Sequence, residues 1–259
     1  MGGSAVSRHL IAGLACRLNG ARLYGKPLQN LAPGETILAQ IVACIRASTV
    51  PAEVVLAIAE PAENTALRMA AEELEAPYVL GDEEDVLGRL IHAAEAYGAT
   101  DVLRKTTESP FFEVEGMERA WEQHVANGND VTVVDHVPLG TAVEIYTVDA
   151  LRRSHEEGRD EDRSELVSNY ARFNQRLFKV ELIDPPPECR RTDLRLTVDY
   201  PEDLIVCRAV YEELGASAPL IPLEEIVAFL DGRPDLSGLV EEFAYDKPIW
   251  DGAPQRPPK

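Results

Sequence analysis

The run Leu10-Ile-Ala-Gly-Leu-Ala-Cys-Arg17-Leu-Asn-Gly-Ala-Arg22-Leu-Tyr-Gly-Lys26-Pro27 joins an apolar segment to a loop that carries three cations and no acid. It is electrically unlike the rest of the chain, which has a formal net charge of −20 and no acidic residue before Glu35. A strand that empties into a basic, small-residue loop is how an α/β sheet holds a polyphosphate. Guanidinium forks grip phosphate oxygens bidentately, and a lysine adds a compact, mobile charge. Gly20 and Gly25 match neither a Walker loop nor a G-x-G-x-x-G fingerprint, which counts against kinases and dehydrogenases. Taken alone, the loop reads equally well as a solvated basic turn, and Arg8, upstream of the strand, is read as having no part in it.

Outward from this run, apolar segments alternate with helical periods. Strands are expected at 10–16, 53–59, 77–80 and 101–106, and helices at 36–47, 63–75 and 84–97. This β-α-β-α-β-α-β order predicts an α/β protein: a three-layer α/β/α, Rossmann-like fold with a mostly parallel mixed sheet. Parallel neighbours need crossovers, and the helices supply them. Ligands of such sheets bind at the carboxyl ends of the strands. The second half predicts a helix at 117–127, strands at 131–135 and 143–147, and a helix at 149–155. A charged connection at 158–164 then opens a helix running to 173. Strands follow at 177–183 and 194–198, the latter ending at Asp199. Pro201 begins a helix to 214, where its missing N–H is harmless, and a last helix falls at 223–230. A single domain is expected over 1–259, with a core at about 8–231 and flexible tails at 1–7 and 249–259.

Composition narrows the function class. With 45% hydrophobic and 27% charged residues and no run of about 18 apolar residues, the chain reads as a globular protein without a transmembrane helix. The short apolar stretch after Met1 makes no convincing signal peptide, so a cytoplasmic location is the default. Cys16, Cys44, Cys189 and Cys207 are scattered without a C-x-x-C pair, which argues against a zinc site or disulfides. A pI near 4.6 repels nucleic acid, so the expected anionic ligand is small. His92, His124, His136 and His155 show no metal-binding spacing and are assigned no role.

Three further segments carry candidate chemistry. In Arg104-Lys-Thr-Thr-Glu108-Ser-Pro110, Glu108 stands just past a predicted strand and reads either as a helix-capping acid or as a ligand for a hard cation. Mg²⁺ commonly takes one or two protein carboxylates together with phosphate oxygens. In Leu194-Arg-Leu-Thr-Val-Asp199-Tyr-Pro201-Glu202-Asp203, Asp199 reads either as a cap for the next helix or as a second metal carboxylate. Glu202 and Asp203 read as surface acids favoured by the helix dipole. Asp85 and Arg89 are spaced i, i+4 and read as a surface pair.

Together and in this order, these segments resemble the cytidylyltransferases that make CMP-activated acidic sugars, of the acylneuraminate and spore-coat polysaccharide group. The likeness runs from about 10 to 214. It rests on ACRLNGARLYGKPL, on GDEEDVLGRLIHAAEAYGATDVLRKTTESPF, on PLGTAVEIYTVDAL and DRSELVSNY, and on LRLTVDYPEDL. The resemblance implies a nucleotidyltransferase fold in which Arg17, Arg22 and Lys26 contact the triphosphate of CTP, with Arg17 and Lys26 catalytic. It also implies that Glu108 and Asp199 hold Mg²⁺, that Asp85 and Arg89 lie near the nucleoside, and that Glu144, Arg163 and Glu165 border the acceptor. Two positions depart from the family pattern, which usually has aspartate at Glu108 and serine at Gly20.

The implied reaction is attack of an acceptor oxygen on the α-phosphorus of CTP with loss of pyrophosphate. No side chain beyond the carboxylates reads as a general base. That favours an acceptor that is already anionic, such as a phosphonate, over the hydroxyl of a sugar acid. A homodimer is expected, with the apolar stretch 137–146 as a shared surface. The competing readings are a non-catalytic nucleotide-binding module on the same fold and a nucleotide-sugar glycosyltransferase. The latter is weakened because no D-x-D motif lies between Val55 and Glu108.

Overall fold

The computed structural model describes residues 8–20, 22–60, 64–245 and 247–256; the tail expected at 1–7 lies outside these residues. β1 (Leu10–Cys16) leads through the basic loop to a short hairpin, β2 (Asn30–Ala32) and β3 (Glu35–Thr36), and then to α1 (Ile37–Ala47). There follow β4 (Glu53–Ala59), α2 (Thr65–Glu73), β5 (Tyr78–Gly81), α3 (Val86–Ala96), β6 (Asp101–Arg104), α4 (Val114–Asn127) and β7 (Val131–Val134). The second half adds β8 (Glu144–Thr147), α5 (Val148–Glu157), α6 (Asp160–Arg163), α7 (Asn169–Phe173) and β9 (Val180–Ile183). It closes with α8 (Pro201–Leu214), α9 (Leu223–Asp231) and α10 (Pro234–Val240).

Among the described residues a seven-stranded sheet runs in the order β5-β4-β1-β6-β8-β7-β9. β8 pairs antiparallel with both its neighbours, and every other adjacent pair is parallel. This is the mostly parallel mixed sheet that the alternating pattern predicts. The two faces are packed separately, because successive strand residues point to opposite sides. Leu10, Ala12, Leu14 and Cys16 face α1, α4 and α8–α10, whereas Ile11 faces α3, α5 and α7. Gly13 is required by that second face: a Cβ there would lie 2.9 Å from Leu90 and 3.0 Å from Val102. Local signals set the helix starts, with Thr36 accepting from Ala39 N and Asp85 from Gly88 N.

Several expectations are corrected. The helix expected from 158–164 to 173 is two pieces, because Ser164 turns extended and the chain at Glu165 and Leu166 lines a cavity instead. The strand expected at 194–198 forms a single bridge, Arg195 with Leu139, and Val198 N donates to Glu108 O. The expected shared surface at 137–146 is turned inward: Val137, Val143, Ile145 and Tyr146 are buried within this chain.

The largest correction concerns the C-terminal tail expected to be flexible from 249. Trp250 is 1% exposed. The backbone N–H groups of Ile249, Trp250 and Asp251 all donate to the Asp135 carboxylate, at 3.1, 3.1 and 2.8 Å. Arg256 clamps Asp162 through both of its terminal nitrogens, at 2.6 and 2.7 Å. The prolines make this segment irregular, while one buried indole and two carboxylates fasten it down. No helix among the described residues is long and apolar enough to cross a membrane.

Asp135→Ala leaves three partly or fully buried N–H groups without their acceptor, so it should cost about 2–3 kcal/mol. A urea unfolding curve reads the loss, and limited proteolysis should then cut within 248–256. An unchanged midpoint with no new cleavage would refute this role for Asp135.

Candidate active site

β1 ends at Cys16, and the loop after it returns to its own start, Gly25 N donating to Leu18 O at 2.8 Å, while Leu18 N donates to the side-chain Oδ1 of Asn64 at 2.8 Å. Gly20 sits inside this turn, where a Cβ would lie 2.4 Å from Leu23 O. The serine usual in the resembling family would therefore not fit here without moving the loop. The result is a cradle whose cations Arg17, Arg22 and Lys26 line the carboxyl edge of the sheet.

That edge holds a cavity of about 600 Å³. Arg17, Arg22 and Lys26 line it from the loop, Val86 and Arg89 from α3, and residues 104–108 from the end of β6. Glu165 and Leu166 line it from the α6–α7 connection, and Asp199 from the approach to α8. Among the described residues the lining thus contains six cationic side chains against three carboxylates, in a chain with 25 basic and 45 acidic residues. This local inversion of charge is suited to a polyanion.

Asp199 is the hub. Lys26 Nζ lies 2.6 Å and Arg22 Nη2 3.2 Å from its Oδ1, and Arg195 Nη2 lies 2.8 Å from its Oδ2. Burial alone would raise the Asp199 carboxyl, but Lys26 and Arg195 hold it below its ordinary value. Arg195 is fixed in turn by Asp203, at 2.7 and 2.9 Å. Asp203, read from the sequence as a surface acid, is 1% exposed and also accepts from the backbone N–H of Asp199 and Tyr200. Arg22 additionally lies over the Tyr200 ring at 4.8 Å, and that ring stacks on Phe243 at 4.0 Å.

Glu108 faces the same cavity. Its turn is stitched to the Asp199 segment by Ser109 Oγ donating to Thr197 Oγ1 at 2.9 Å and by Val198 N donating to Glu108 O at 2.9 Å. Burial raises the Glu108 carboxyl above its ordinary value, with Lys26 and Arg104 pulling it down and Asp199 pushing it up. Two carboxylates sharing one cavity with arginine and lysine side chains suited to phosphate oxygens fit the habit of Mg²⁺. Among the described residues no group of three or more acids, histidines or cysteines forms an all-protein metal cage. Such a cage is not what Mg²⁺ usually takes, since phosphate oxygens and water complete its shell.

The remaining site expectations divide. Arg89 is buried 2% exposed, and it donates to the carbonyls of Cys16 and Ala57 at 3.0 and 2.9 Å rather than pairing with Asp85. It lines the cavity, whereas Asp85 caps α3 and meets His155 Nε2 at 2.7 Å. Glu165 does reach the loop, 2.9 Å from Arg17. Arg163 instead donates to His155 O at 3.0 Å, and Glu144 lies behind Arg104; neither lines the cavity.

Sequence reasoning passed over Arg104 and Lys105. Strand alternation sends them to opposite faces: Arg104 toward Glu144, and Lys105 onto the carbonyls of Phe111, Gly140 and Ala142. Burial pushes the Lys105 ammonium down to about 7, while its three carbonyl partners and the Phe112 ring at 4.4 Å hold the group in place. Nothing local marks them, because consecutive cations at a strand end can both reach water; the partners that bury them come from β8 and from the segments around 111 and 140–142.

A three-layer sheet with a cationic cradle and paired carboxylates on its carboxyl edge is the architecture of a nucleotidyltransferase. The chain belongs to the cytidylyltransferase family, whose signature matches residues 14–233. An uncharacterized protein of Methanocaldococcus jannaschii is 27% identical over 232 residues, covering 89% of this chain and 93% of the relative. The spore coat polysaccharide biosynthesis protein SpsF of Bacillus subtilis is 29% identical over 156 residues, 60% of this chain and 65% of SpsF. In fold, the chain is similar to a cytidylyltransferase from Leptospira borgpetersenii serovar Hardjo-bovis, with a TM-score of 0.80 and 18% identity, covering 89% and 97% of the two chains.

Because Glu108 takes up a proton more readily folded than unfolded, its contribution to stability is present below the ordinary carboxylate range. That contribution is lost as pH rises through the raised folded value. Glu108→Gln, which keeps the shape without the charge, should therefore melt above the wild type at pH 7. The gap should close as pH falls into the carboxylate range. A variant that melts at or below the wild type at pH 7 would overturn the burial argument.

Proposed function

We propose that this cytidylyltransferase transfers CMP from CTP to a small acidic acceptor, a phosphonate or a sugar acid, and releases pyrophosphate. The observation that carries the reading is the charge of the cavity. Six cations and two metal-competent carboxylates converge at the carboxyl edge of the sheet in an otherwise acidic protein.

Asp199 pairs with Lys26 and Arg22, and Glu165 pairs with Arg17, so each cation that would meet the triphosphate is held in place by a carboxylate. The cations are therefore aimed before the substrate arrives, which limits reorganisation during the reaction. On binding, Lys26 and Arg22 exchange Asp199 for the triphosphate. Asp199 and Glu108 are the carboxylates that would hold Mg²⁺ beside the phosphates. The metal, when bound, screens phosphate charge and orients the phosphates.

The acceptor oxygen attacks the α-phosphorus in line, and the bond from that phosphorus to the bridging oxygen of pyrophosphate breaks. Arg17, Arg22 and Lys26 stabilise the charge that collects on the departing group. Arg89, tied to the ends of β1 and β4, walls the nucleoside side of the cavity. Lys105 is committed to three backbone carbonyls, and no histidine is among the described lining residues. This supports an acceptor that arrives ionised. A homodimer remains part of the reading, on a surface other than 137–146.

The test is pyrophosphate release with CTP, GTP, ATP and UTP, Mg²⁺, and a set of phosphonates and sugar acids. Release with CTP and at least one acidic acceptor is expected. No CTP-dependent release and no CTP binding by calorimetry would refute the assignment. Asp199→Asn should lower the rate on the order of 100-fold or more while keeping the fold by circular dichroism, with a melting point at pH 7 somewhat below the wild type because the carboxylate held low by Lys26 and Arg195 is lost. Unchanged turnover would sink the metal role of Asp199.

A further inference from the structure

Arg104 is the cavity cation that the CMP-transfer reading leaves without a task. Lys26 and Arg22 are spoken for by Asp199, Arg17 by Glu165, and Arg89 and Lys105 by backbone carbonyls. Arg104 stands at the last position of β6, directly opposite Glu144 of β8 in the antiparallel register. Strand order puts it on the β8 flank of the cavity, with Glu165 and Leu166, across β1 from the β4 and β5 flank where Val86 and Arg89 stand. If the nucleoside lies by Arg89, the second substrate lies here.

The support behind Arg104 is complete. Its Nη1 lies 3.1 Å from Glu144 Oε2, which also accepts from Tyr146 Oη at 3.1 Å. Glu144 Oε1 accepts from the indole Nε1 of Trp250 at 2.8 Å. Both carboxylate oxygens are therefore used, and Glu144 is 6% exposed, so it has no access to a ligand. The two neutral donors share its charge. That leaves the guanidinium, 20% exposed, with its outer edge toward the cavity and one long contact of 3.4 Å from Nη2 to Glu165 O. A planar fork pinned from behind and open in front is suited to a carboxylate or phosphonate. Trp250 lies outside the stretch that carries the family signature, which ends at 233. The pin therefore comes from the C-terminal segment fastened by Asp135.

We infer that Arg104 binds the anionic group of the acceptor, with Glu144 and Trp250 as positioning residues that hold its guanidinium toward the cavity. The inference rests on the CMP-transfer reading and specifies its second substrate site: one oxyacid group, on the β8 flank, separate from the triphosphate cradle. Glu144 thereby moves from acceptor contact to support.

The experiment uses the full chain with CTP and Mg²⁺ and two probes, 2-hydroxyethylphosphonate and N-acetylneuraminate. Arg104→Gln should raise the probe KM on the order of 100-fold, while Arg104→Lys, which keeps charge but loses the fork, should raise it about tenfold. Trp250→Phe, which keeps the aromatic bulk but deletes the indole N–H, should also raise it about tenfold with kcat little changed. In all three variants the CTP Kd by calorimetry should stay within about twofold of the wild type. A probe KM in Arg104→Gln within about threefold of the wild type, or a CTP Kd that weakens in step with it, overturns the inference while leaving CMP transfer standing. Absence of wild-type turnover with every acceptor indicts the CMP-transfer reading instead. Direct titration of both probes then decides the contact: binding that Arg104→Gln weakens upholds it, and binding that is equal or absent overturns it. Whichever probe responds identifies the anion as phosphonate or carboxylate.

Discussion

The carboxylate of Asp199 gathers cations from two distant parts of the chain at one point. Its two oxygens take Lys26 and Arg22 from the loop after β1 and Arg195 from the approach to α8, across up to 177 positions of sequence. Opposite charges gathered in a half-buried setting attract far more strongly than on an open surface. Geometry alone would not keep three cations together, since Arg22, Lys26 and Arg195 repel one another. Asp203 makes the arrangement tenable by neutralising Arg195 from inside α8. Without that second acid, Arg195 would compete with the loop for Asp199.

The same economy explains why the site is a place of tension. Glu108 is kept partly desolvated beside another carboxylate, and Lys105 is buried against backbone carbonyls. Each of these groups is held in a less favourable state than it would have in water, and the surrounding sheet over-determines its position. The three loop cations are each held by a carboxylate, Arg17 by Glu165 and Arg22 and Lys26 by Asp199, while the lining as a whole keeps an excess of positive charge. The protein thus avoids leaving six cations exposed to one another while keeping them in place.

Much of the frame was legible in the sequence. β1 and β4, 10–16 and 53–59, match their expected bounds because buried parallel strands read as continuous apolar runs ended by loop residues. The start of α8 at Pro201 was equally plain, since proline tolerates only the first helical turn. Failures cluster where a long-range partner overrides a local preference. Asp203 looks like a dipole-favoured surface acid until Arg195 is brought beside it, and the stretch 194–198 looks like a strand until its backbone proves to be bridged by Leu139 and Glu108 rather than paired along a ladder. The segment 248–256 looks like a proline-rich tail because a single tryptophan and one distant carboxylate leave no periodic trace.

The sequence by itself determined the alternating α/β order, the basic loop after the first strand, and the two acids that end up facing it. These depend on composition and spacing within about a dozen residues, where periodicity and charge speak directly. Only the tertiary structure decided which cations point into the cavity and which are consumed as braces. Strand alternation, pairing register and the partner available across the sheet choose between those fates, so adjacent Arg104 and Lys105 part to opposite faces. In the same way Glu144, expected beside the acceptor, becomes the buried support of an arginine that faces the cavity.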